Sequence, residues 1–358
     1  MGQARRPAWT QQEHRGNGHC RAWLQRPDKK RVRLQEGYYW SRLSFPALYT
    51  GPAAPYSLKE PFMSFLSFRL LLFIVSCFAI MTMLVSPCLA GHGEEREAKV
   101  GILLVAFGST IPEAREALAH VEVRVSEQYP DTEIRWAYSA ALVRSILREQ
   151  GLEYDSPAMA LARMMEDGFT HVAVQSLHTI PGEEYHGLLQ TAHAFSGMPK
   201  GMDTVLVGSP LLATAGDLQA AADAIMANLP TERTPGDAVI LLGHGTHHPG
   251  DAMYAALQYH LWQRDPNVFV GTVEGVPALD DIRPILAERT ITKAYLLPFM
   301  AVAGDHAIND MAGDEPDSWN SILTADGVET VCVLKGTAEY DAVVDIWLAH
   351  LASALAHF

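Results

Sequence analysis

The chain has 358 residues, with 27 basic and 41 acidic side chains and a net charge of −14. Residues 1–90 hold 12 of the basic and 4 of the acidic side chains, so residues 91–358 carry a net charge of −22. A surface this acidic repels nucleic acid and anionic lipid, which excludes both as partners, and it attracts metal cations.

The first 90 residues differ from the rest. Residues 1–62 are rich in Arg, Trp and Pro without apolar periodicity, and we interpret them as translated sequence upstream of a start at Met63. Residues 63–90 combine a basic start, an apolar stretch at 70–85 and a small residue at Ala90, which predicts a signal peptide, export to the periplasm and a mature chain from about Gly91. A transmembrane anchor and a lipoprotein acylated at Cys88 are the alternatives. After cleavage we expect no stable membrane insertion, and Cys332 is the one remaining cysteine, so no intrachain disulfide is expected.

From residue 91 onward, short runs of Val, Ile and Leu alternate with amphipathic stretches. This alternation is typical of parallel strands covered by helices, and it predicts strands at 100–107, 133–138, 171–177, 204–207, 238–242, 268–273, 294–300 and 330–334. Helices are predicted at 112–128, after a Ser-Thr cap, and at 156–167. The fold class is α/β: two Rossmann-like βα domains, 91–212 and 213–358, related by a pseudo-twofold axis with their parallel sheets facing a central cleft. The terminal helix is expected to pack back on the first domain.

An internal repeat supports the two-domain prediction. Residues 170–184 match 292–306, which pairs Glu184 with His306, and residues 103–109 match 240–246, which pairs Phe107 with His244. A third match sets residues 134–139 against 269–274, so that Glu274 corresponds to Ser139.

Four polar residues follow predicted strands at equivalent positions of this repeat: Glu184, His244, Glu274 and His306. Because the carboxyl ends of parallel strands line the ligand crevice of such folds, we expect all four in the cleft, with Glu184 buried there. Imidazole is both a ligand for borderline metals and a base near neutral pH, so the pattern indicates a metal-handling site. Hydrogen-bonded core histidines, a solvated loop carboxylate at Glu274 and an ordinary first-turn carboxylate at Glu184 are the alternatives.

Several motifs carry a family resemblance: QSLH at 175–178, GEEY at 182–185, GHG at 243–245, VE at 273–274 and LPFMAVAGDHAINDM at 297–311. They resemble the anaerobic-type sirohydrochlorin cobaltochelatases, which are class II chelatases. The resemblance implies a single-subunit, ATP-independent enzyme that inserts Co2+ into a modified tetrapyrrole. It also implies that His244 and His306 lie at the metal and that Glu184 belongs to the catalytic set. The predicted export and the residue at His186 depart from cytoplasmic members of the family.

The chemistry of insertion suggests a role for each residue. His244, Glu274 and His306 are predicted to bind Co2+, and His244 also to accept a pyrrole proton. Glu184 is predicted to relay or accept the second proton. Asp305 and Asn309 are expected to orient the segment that carries His306. Insertion of Fe2+ into sirohydrochlorin and non-catalytic carriage of metal or haem remain alternatives.

Other histidines receive different predictions. If a helix begins near Glu183, His186 lies on a face turned away from the cleft and is free for a partner subunit; the resemblance also implies self-association. We therefore predict that His186, ahead of His193, is an axial ligand of a haem between subunits of a homo-oligomer, a trimer or tetramer. A solvated helix histidine is the alternative. His178 is expected to be a satisfied core histidine, and His247 and His248 to cap a helix or guide metal.

Overall fold

The computed structural model describes residues 73–76 and 97–358. The predictions for residues 1–62 and for the signal peptide at 63–90 lie outside the described residues, except that residues 73–76 are helical. In the part of the chain that is described, no helix has both the length and the apolar character needed to cross a bilayer.

Two parallel sheets of four strands form the framework, as predicted. The first sheet has the order β2-β1-β3-β4, and the second has the order β6-β5-β7-β8. Parallel strands buried on both faces need apolar residues at successive positions, and β5 is buried at all six of its residues. The strands are β1 Val100–Ala106, β2 Glu133–Tyr138, β3 His171–Ser176, β4 Thr204–Gly208, β5 Ala238–Gly243, β6 Val268–Thr272, β7 Lys293–Pro298 and β8 Glu329–Cys332.

Helices connect the strands, as parallel pairing requires. They are α1 Pro112–Gln128, α2 Ala141–Glu149, α3 Pro157–Glu166, α4 Glu183–Phe195, α5 Ala215–Ala227, α6 Ala252–Trp262, α7 Leu279–Glu288, α8 Trp319–Ala325 and α9 Asp341–Leu355. Helix α1 has the predicted bounds, but the expected Ser-Thr cap is wrong. Its N-cap is Ile111, without a side-chain cap, and the Ser109 hydroxyl instead accepts from the Ile111 amide at 3.1 Å. Pro112 at the first helical position has no amide that needs a partner, and its fixed φ favours a helix start.

The two sheets repeat each other down to single hydrogen bonds. At the end of β1 the amide of Ala140 donates to the carbonyl of Phe107 at 3.2 Å, and at the end of β5 the amide of Glu274 donates to the carbonyl of His244 at 2.8 Å. Phe107 therefore corresponds to His244, as predicted. Glu274 corresponds to Ala140 and not to Ser139, so the third match of the repeat is wrong by one residue.

The carboxyl-terminal edges of the two sheets meet. A Cβ atom on Gly304, in the loop after β7, would lie 3.6 Å from the Ser109 hydroxyl oxygen, in the loop after β1. A Cβ atom on Gly250, beyond β5, would lie 2.5 Å from the carbonyl oxygen of Pro181, which precedes α4. The loops that carry the predicted site residues of both halves are therefore in contact.

The last helix lies against the first sheet. Helix α9 contacts β3 and β4, and Arg124 of α1 donates to Asp341 and Asp345 of α9 at 2.6 Å each. His350 of α9 donates through Nδ1 to the carbonyl of Ser209 at 3.0 Å. The first sheet ends at Gly208 and the second begins at Ala238, so the domain boundary at residue 212 stays a prediction within this interval.

Candidate active site

His244 follows directly after β5, where the chain turns sharply. Its Nδ1 lies 2.8 Å from the carbonyl oxygen of Gly245. A carbonyl oxygen can only accept, so Nδ1 carries the proton and Nε2 keeps its lone pair. Gly245 has a φ of +80°, and a Cβ atom there would lie 2.4 Å from the backbone nitrogen of Gly275. Glycine is thus required both by the left-handed backbone and by the close approach of the two loops.

A buried tyrosine packs against this turn. Tyr254 of α6 is 2% exposed, and its ring lies directly under the turn, because a Cβ atom on Gly243 would meet the ring at 2.5 Å. Burial raises the pKa of Tyr254, and hydrogen bonds to the backbone of Gly245 and His244 oppose part of that rise. The phenol therefore stays neutral and holds the backbone of the His244 turn.

His306 opens the short π-helix Ala307–Met311. Its Nδ1 lies 2.5 Å from Oδ2 of Asp310, one helical turn further on. The carboxylate accepts, so the lone pair of His306 is also on Nε2.

The expectation that Asp305 and Asn309 orient the segment that carries His306 stays a prediction, and neither side chain bonds the His306 ring. The Asn309 amide donates to Asp305 at 2.8 Å, so these two side chains bond each other. The orienting residue that the sequence analysis missed is Asp310. Its position four residues after His306 in a helix was the available signal, because residues at that spacing share a helix face.

The two histidines come together, as the sequence predicted. Their ring centroids are 4.6 Å apart and the rings are nearly perpendicular, at 89°. With metal–nitrogen bonds of about 2.1 Å, two imidazoles bound to one ion at about 90° have centroids roughly 4.5 Å apart. The pair therefore has the spacing of two neighbouring ligands of one cation.

Glu274 is placed beside the pair by its backbone. Asp251 braces its loop, because one carboxylate oxygen accepts from the Thr246 amide at 3.0 Å and the other from the Val276 amide at 2.8 Å. The backbone of Glu274 is bonded to His244, but its side chain is exposed. Among residues 73–76 and 97–358, no three His, Cys, Asp or Glu side chains are gathered tightly enough to hold a metal. The third ligand at Glu274 stays a prediction.

Glu184 lies in the first turn of α4, at the position in the first half that His306 occupies in the second. Its side chain is exposed, so the expectation of burial is wrong. Burial and the charge of Arg148 lower the pKa of Arg144, and the nearby charge of Glu184 opposes part of that decrease. Glu184 is thus a solvent-accessible carboxylate near a cation.

His178, at the end of β3, has both ring nitrogens engaged. Nδ1 lies 2.8 Å from the hydroxyl of Ser176, and Nε2 lies 3.2 Å from the hydroxyl of Ser139. Burial lowers the pKa of His178 to about 4. This is the satisfied, neutral histidine that the sequence predicted.

The side chain of His186 is exposed and lies beside that of His248 in the second half. Its ring lies 4.9 Å from that of His248, with an interplanar angle of 31°, and His248 caps the turn Pro249–Asp251 by accepting from the Gly250 amide at 2.9 Å. A helical wheel fixes the direction of His186 on α4 but does not show which element lies beside it, so the sequence did not predict the contact with His248. The Nδ1 of His186 donates to the Gly182 carbonyl at 2.8 Å, so the neutral ring has its lone pair on Nε2.

Fold and site together define a class: a repeated parallel α/β protein with two imidazoles paired at the strand ends of one half. The chain belongs to the cobalt chelatase family, because the model of that family, Cobalt chelatase (CbiK), matches residues 100–356.

Two relatives accompany this match. The Sirohydrochlorin cobaltochelatase CbiKC of Nitratidesulfovibrio vulgaris is 43% identical over 257 residues, which cover 72% of this chain and 91% of that protein. The Sirohydrochlorin cobaltochelatase of Salmonella typhimurium is 32% identical over 259 residues, which cover 72% of this chain and 97% of that protein. Among solved structures, SirB from Bacillus subtilis with Fe3+ is 16% identical, covers 72% of this chain and 96% of that chain, and has a TM-score of 0.48.

Proposed function

We propose that this chain inserts Co2+ into sirohydrochlorin without ATP. The observation that carries the proposal is the His244–His306 pair, in which each Nδ1 is held by a hydrogen bond and each Nε2 lone pair is free. Such a pair binds a borderline cation while leaving coordination positions open for incoming pyrrole nitrogens. Membership in the cobalt chelatase family and the names of the two relatives support Co2+ and sirohydrochlorin as the substrates.

Insertion also requires the removal of two pyrrole protons. When the metal passes from His244 to the ring nitrogens, the Nε2 lone pair of His244 becomes free to accept one of them. Glu184 is proposed to accept or relay the other, and its exposure provides a route to solvent. Glu274, already tied to His244 through its backbone, is proposed to complete the metal ligands by turning its carboxylate toward the pair.

The test is an absorbance assay with purified protein, sirohydrochlorin and Co2+ in the absence of ATP. We expect formation of the cobalt complex well above the uncatalysed rate, loss of that rate in His244→Ala and His306→Ala, and no change in His357→Ala, which alters an exposed histidine after the last helix. The same assay with Fe2+ measures metal preference. Binding of Co2+ without turnover would overturn the proposal in favour of a metal carrier.

Export to the periplasm is a further part of the proposal. It rests on the basic start, the apolar stretch and the small residue at Ala90 within residues 63–90. Mass spectrometry of the periplasmic fraction should show a chain that begins near Gly91. A full-length product in the cytoplasm would contradict export.

We also propose a haem between subunits of a homo-oligomer, with His186 as an axial ligand. The free Nε2 of His186 suits an iron, although His248 lies beside the ring. We expect a low-spin haem spectrum that is lost in His186→Ala, kept in His193→Ala and independent of chelatase activity. Light scattering should report a trimer or tetramer. A colourless oligomer purified from haem-supplied cells would refute haem binding, and a monomer would refute both features.

A further inference from the structure

The two halves of the molecule have the same backbone but opposite side-chain chemistry at their strand ends. In the second half, the hydrogen-bonded pair at the ends of β5 and β6 is His244 and Glu274. The equivalent pair in the first half, at the ends of β1 and β2, is Phe107 and Ala140. The first half therefore has no metal ligand where the second has two, and it has an aromatic ring instead.

Phe107 is also unusual in its exposure. The preceding residues of β1, from Gly101 to Ala106, are all buried, whereas Phe107 is 48% exposed. Its backbone is fixed on both sides, because its carbonyl accepts from the Ala140 amide and the following Gly108, with a φ of +97°, lies against the ring of Tyr138. The ring is thus held at the strand end by a rigid backbone without being covered by the protein.

Other exposed apolar side chains follow strand ends in both halves. Leu142 follows β2 and is 72% exposed, Val276 follows β6 and is 65% exposed, and Ile308 follows His306 by two residues and is 38% exposed. Single exposed apolar residues are common on surfaces, but this set lies along the edges that carry the site. Since a Cβ atom on Gly304 would lie 3.6 Å from the Ser109 hydroxyl, the loop of Phe107 is a neighbour of the segment that leads into His306 and Ile308.

We propose that Phe107 forms a binding surface for the tetrapyrrole macrocycle, opposite the histidine pair that holds the metal. A tetrapyrrole is flat and apolar on its faces and carries its carboxylates on the rim. An exposed, rigidly placed aromatic ring gains contact with such a face, as aromatic side chains do with nucleic acid bases. The acidic protein surface favours a subsite that recognises the macrocycle through its face and leaves the carboxylates toward water.

In this proposal the two halves have different roles: the second half binds the cation, and the first half binds the tetrapyrrole ring. The proposal rests on the proposed function, because it takes sirohydrochlorin as the substrate. Phe107 acts on substrate binding alone, so its removal raises the KM for the tetrapyrrole and leaves Co2+ affinity unchanged.

The experiment measures two affinities and the kinetics for the full chain, Phe107→Ala, Phe107→Leu, Phe107→Trp and the control Tyr259→Ala, an exposed aromatic residue of α6. Metal-free sirohydrochlorin is titrated by its absorbance, and Co2+ by calorimetry. We expect about a 10-fold loss of sirohydrochlorin affinity in Phe107→Ala, a similar rise in KM, an intermediate loss in Phe107→Leu, and near-normal binding in Phe107→Trp and Tyr259→Ala. Because Phe107 is half exposed, all its variants should fold.

The outcomes separate the two proposals. If the unmodified protein binds sirohydrochlorin and inserts Co2+ but Phe107→Ala binds the tetrapyrrole equally well, the Phe107 proposal is overturned and the function stands. Loss of Co2+ affinity in Phe107→Ala also overturns it, because the residue would then act through the metal half. If the unmodified protein does not bind sirohydrochlorin at all, the proposed function fails, and the Phe107 proposal fails with it.

Discussion

Removing the Asp310 carboxylate should weaken Co2+ binding without unfolding the protein. In the structure, Asp310 accepts from Nδ1 of His306 at 2.5 Å, which leaves Nε2 for the proposed metal. Groups that orient metal-bound imidazoles contribute about 10- to 100-fold in affinity. The side chains of His306 and Asp310 are 33% and 44% exposed, so water can partly replace the contact. We therefore expect about a 10-fold loss in Asp310→Ala, which corresponds to about 1.4 kcal/mol.

The chain provides a matched control for this prediction. Asp305 belongs to the same segment, and its carboxylate bonds Asn309, not a histidine. Asp305→Ala should keep Co2+ affinity within about 2-fold, and Asp310→Asn, which keeps an acceptor but loses the charge, should lose only about 3-fold. Calorimetric titration of Co2+ gives all three values. Equal affinities in Asp310→Ala and the unmodified protein, or an equal loss in Asp305→Ala, would refute the assignment of the orienting role to Asp310.

Four further predictions concern other residues of the site and of the strand ends. Glu274→Ala should weaken Co2+ binding about 10-fold, whereas Glu184→Ala should slow turnover and keep the Co2+ affinity. Calorimetry measures the affinity and the absorbance assay measures the turnover of both variants. The reverse pattern would assign metal binding to Glu184 and proton transfer to Glu274. His178 has a pKa of about 4 in the folded protein and about 6.5 in the unfolded chain. The free energy of unfolding should therefore decrease by about 2 kcal/mol as the pH falls from about 6.5 to 4, given the partial exposure of the ring, and level off below pH 4. The measurement is urea unfolding as a function of pH, and the same slope in His178→Gln would contradict the prediction. Gly245→Ala introduces a Cβ atom 2.4 Å from the backbone of Gly275 at a φ of +80°, so it should lower stability by about 1 to 3 kcal/mol, and an unchanged Tm would show that the turn is not required.

Most of the framework could be predicted from the sequence, because buried parallel strands require continuous apolar runs and helices between them. All eight predicted strands are present, and α1 has its predicted bounds of Pro112 and Gln128. The strand predicted at 294–300 is Lys293–Pro298 in the structure. Apolar residues beyond the end of a strand continue the hydrophobic pattern of the sequence but are not hydrogen-bonded to the neighbouring strand. The sequence therefore predicts that a strand exists more reliably than it predicts where the strand ends.

The site could be predicted only in part. His244 and His306 were identifiable because each follows an apolar strand and lies next to or near glycine, and the structure brings them together. The one-residue error that paired Glu274 with Ser139 arose because few identities link β2 to β6, and only the hydrogen bonds fix that register. The packing of His186 on His248 joins residues far apart in sequence, and no local pattern indicates it.

The most direct test of the central claim, that His244 and His306 together bind the metal to be inserted, is anomalous diffraction from crystals of this protein soaked in Co2+. We predict a single strong cobalt peak about 2.1 Å from the Nε2 atoms of both histidines, with each Nδ1 still bonded to Gly245 and Asp310. A cobalt peak elsewhere, or bound to one of the two histidines alone, would contradict the account.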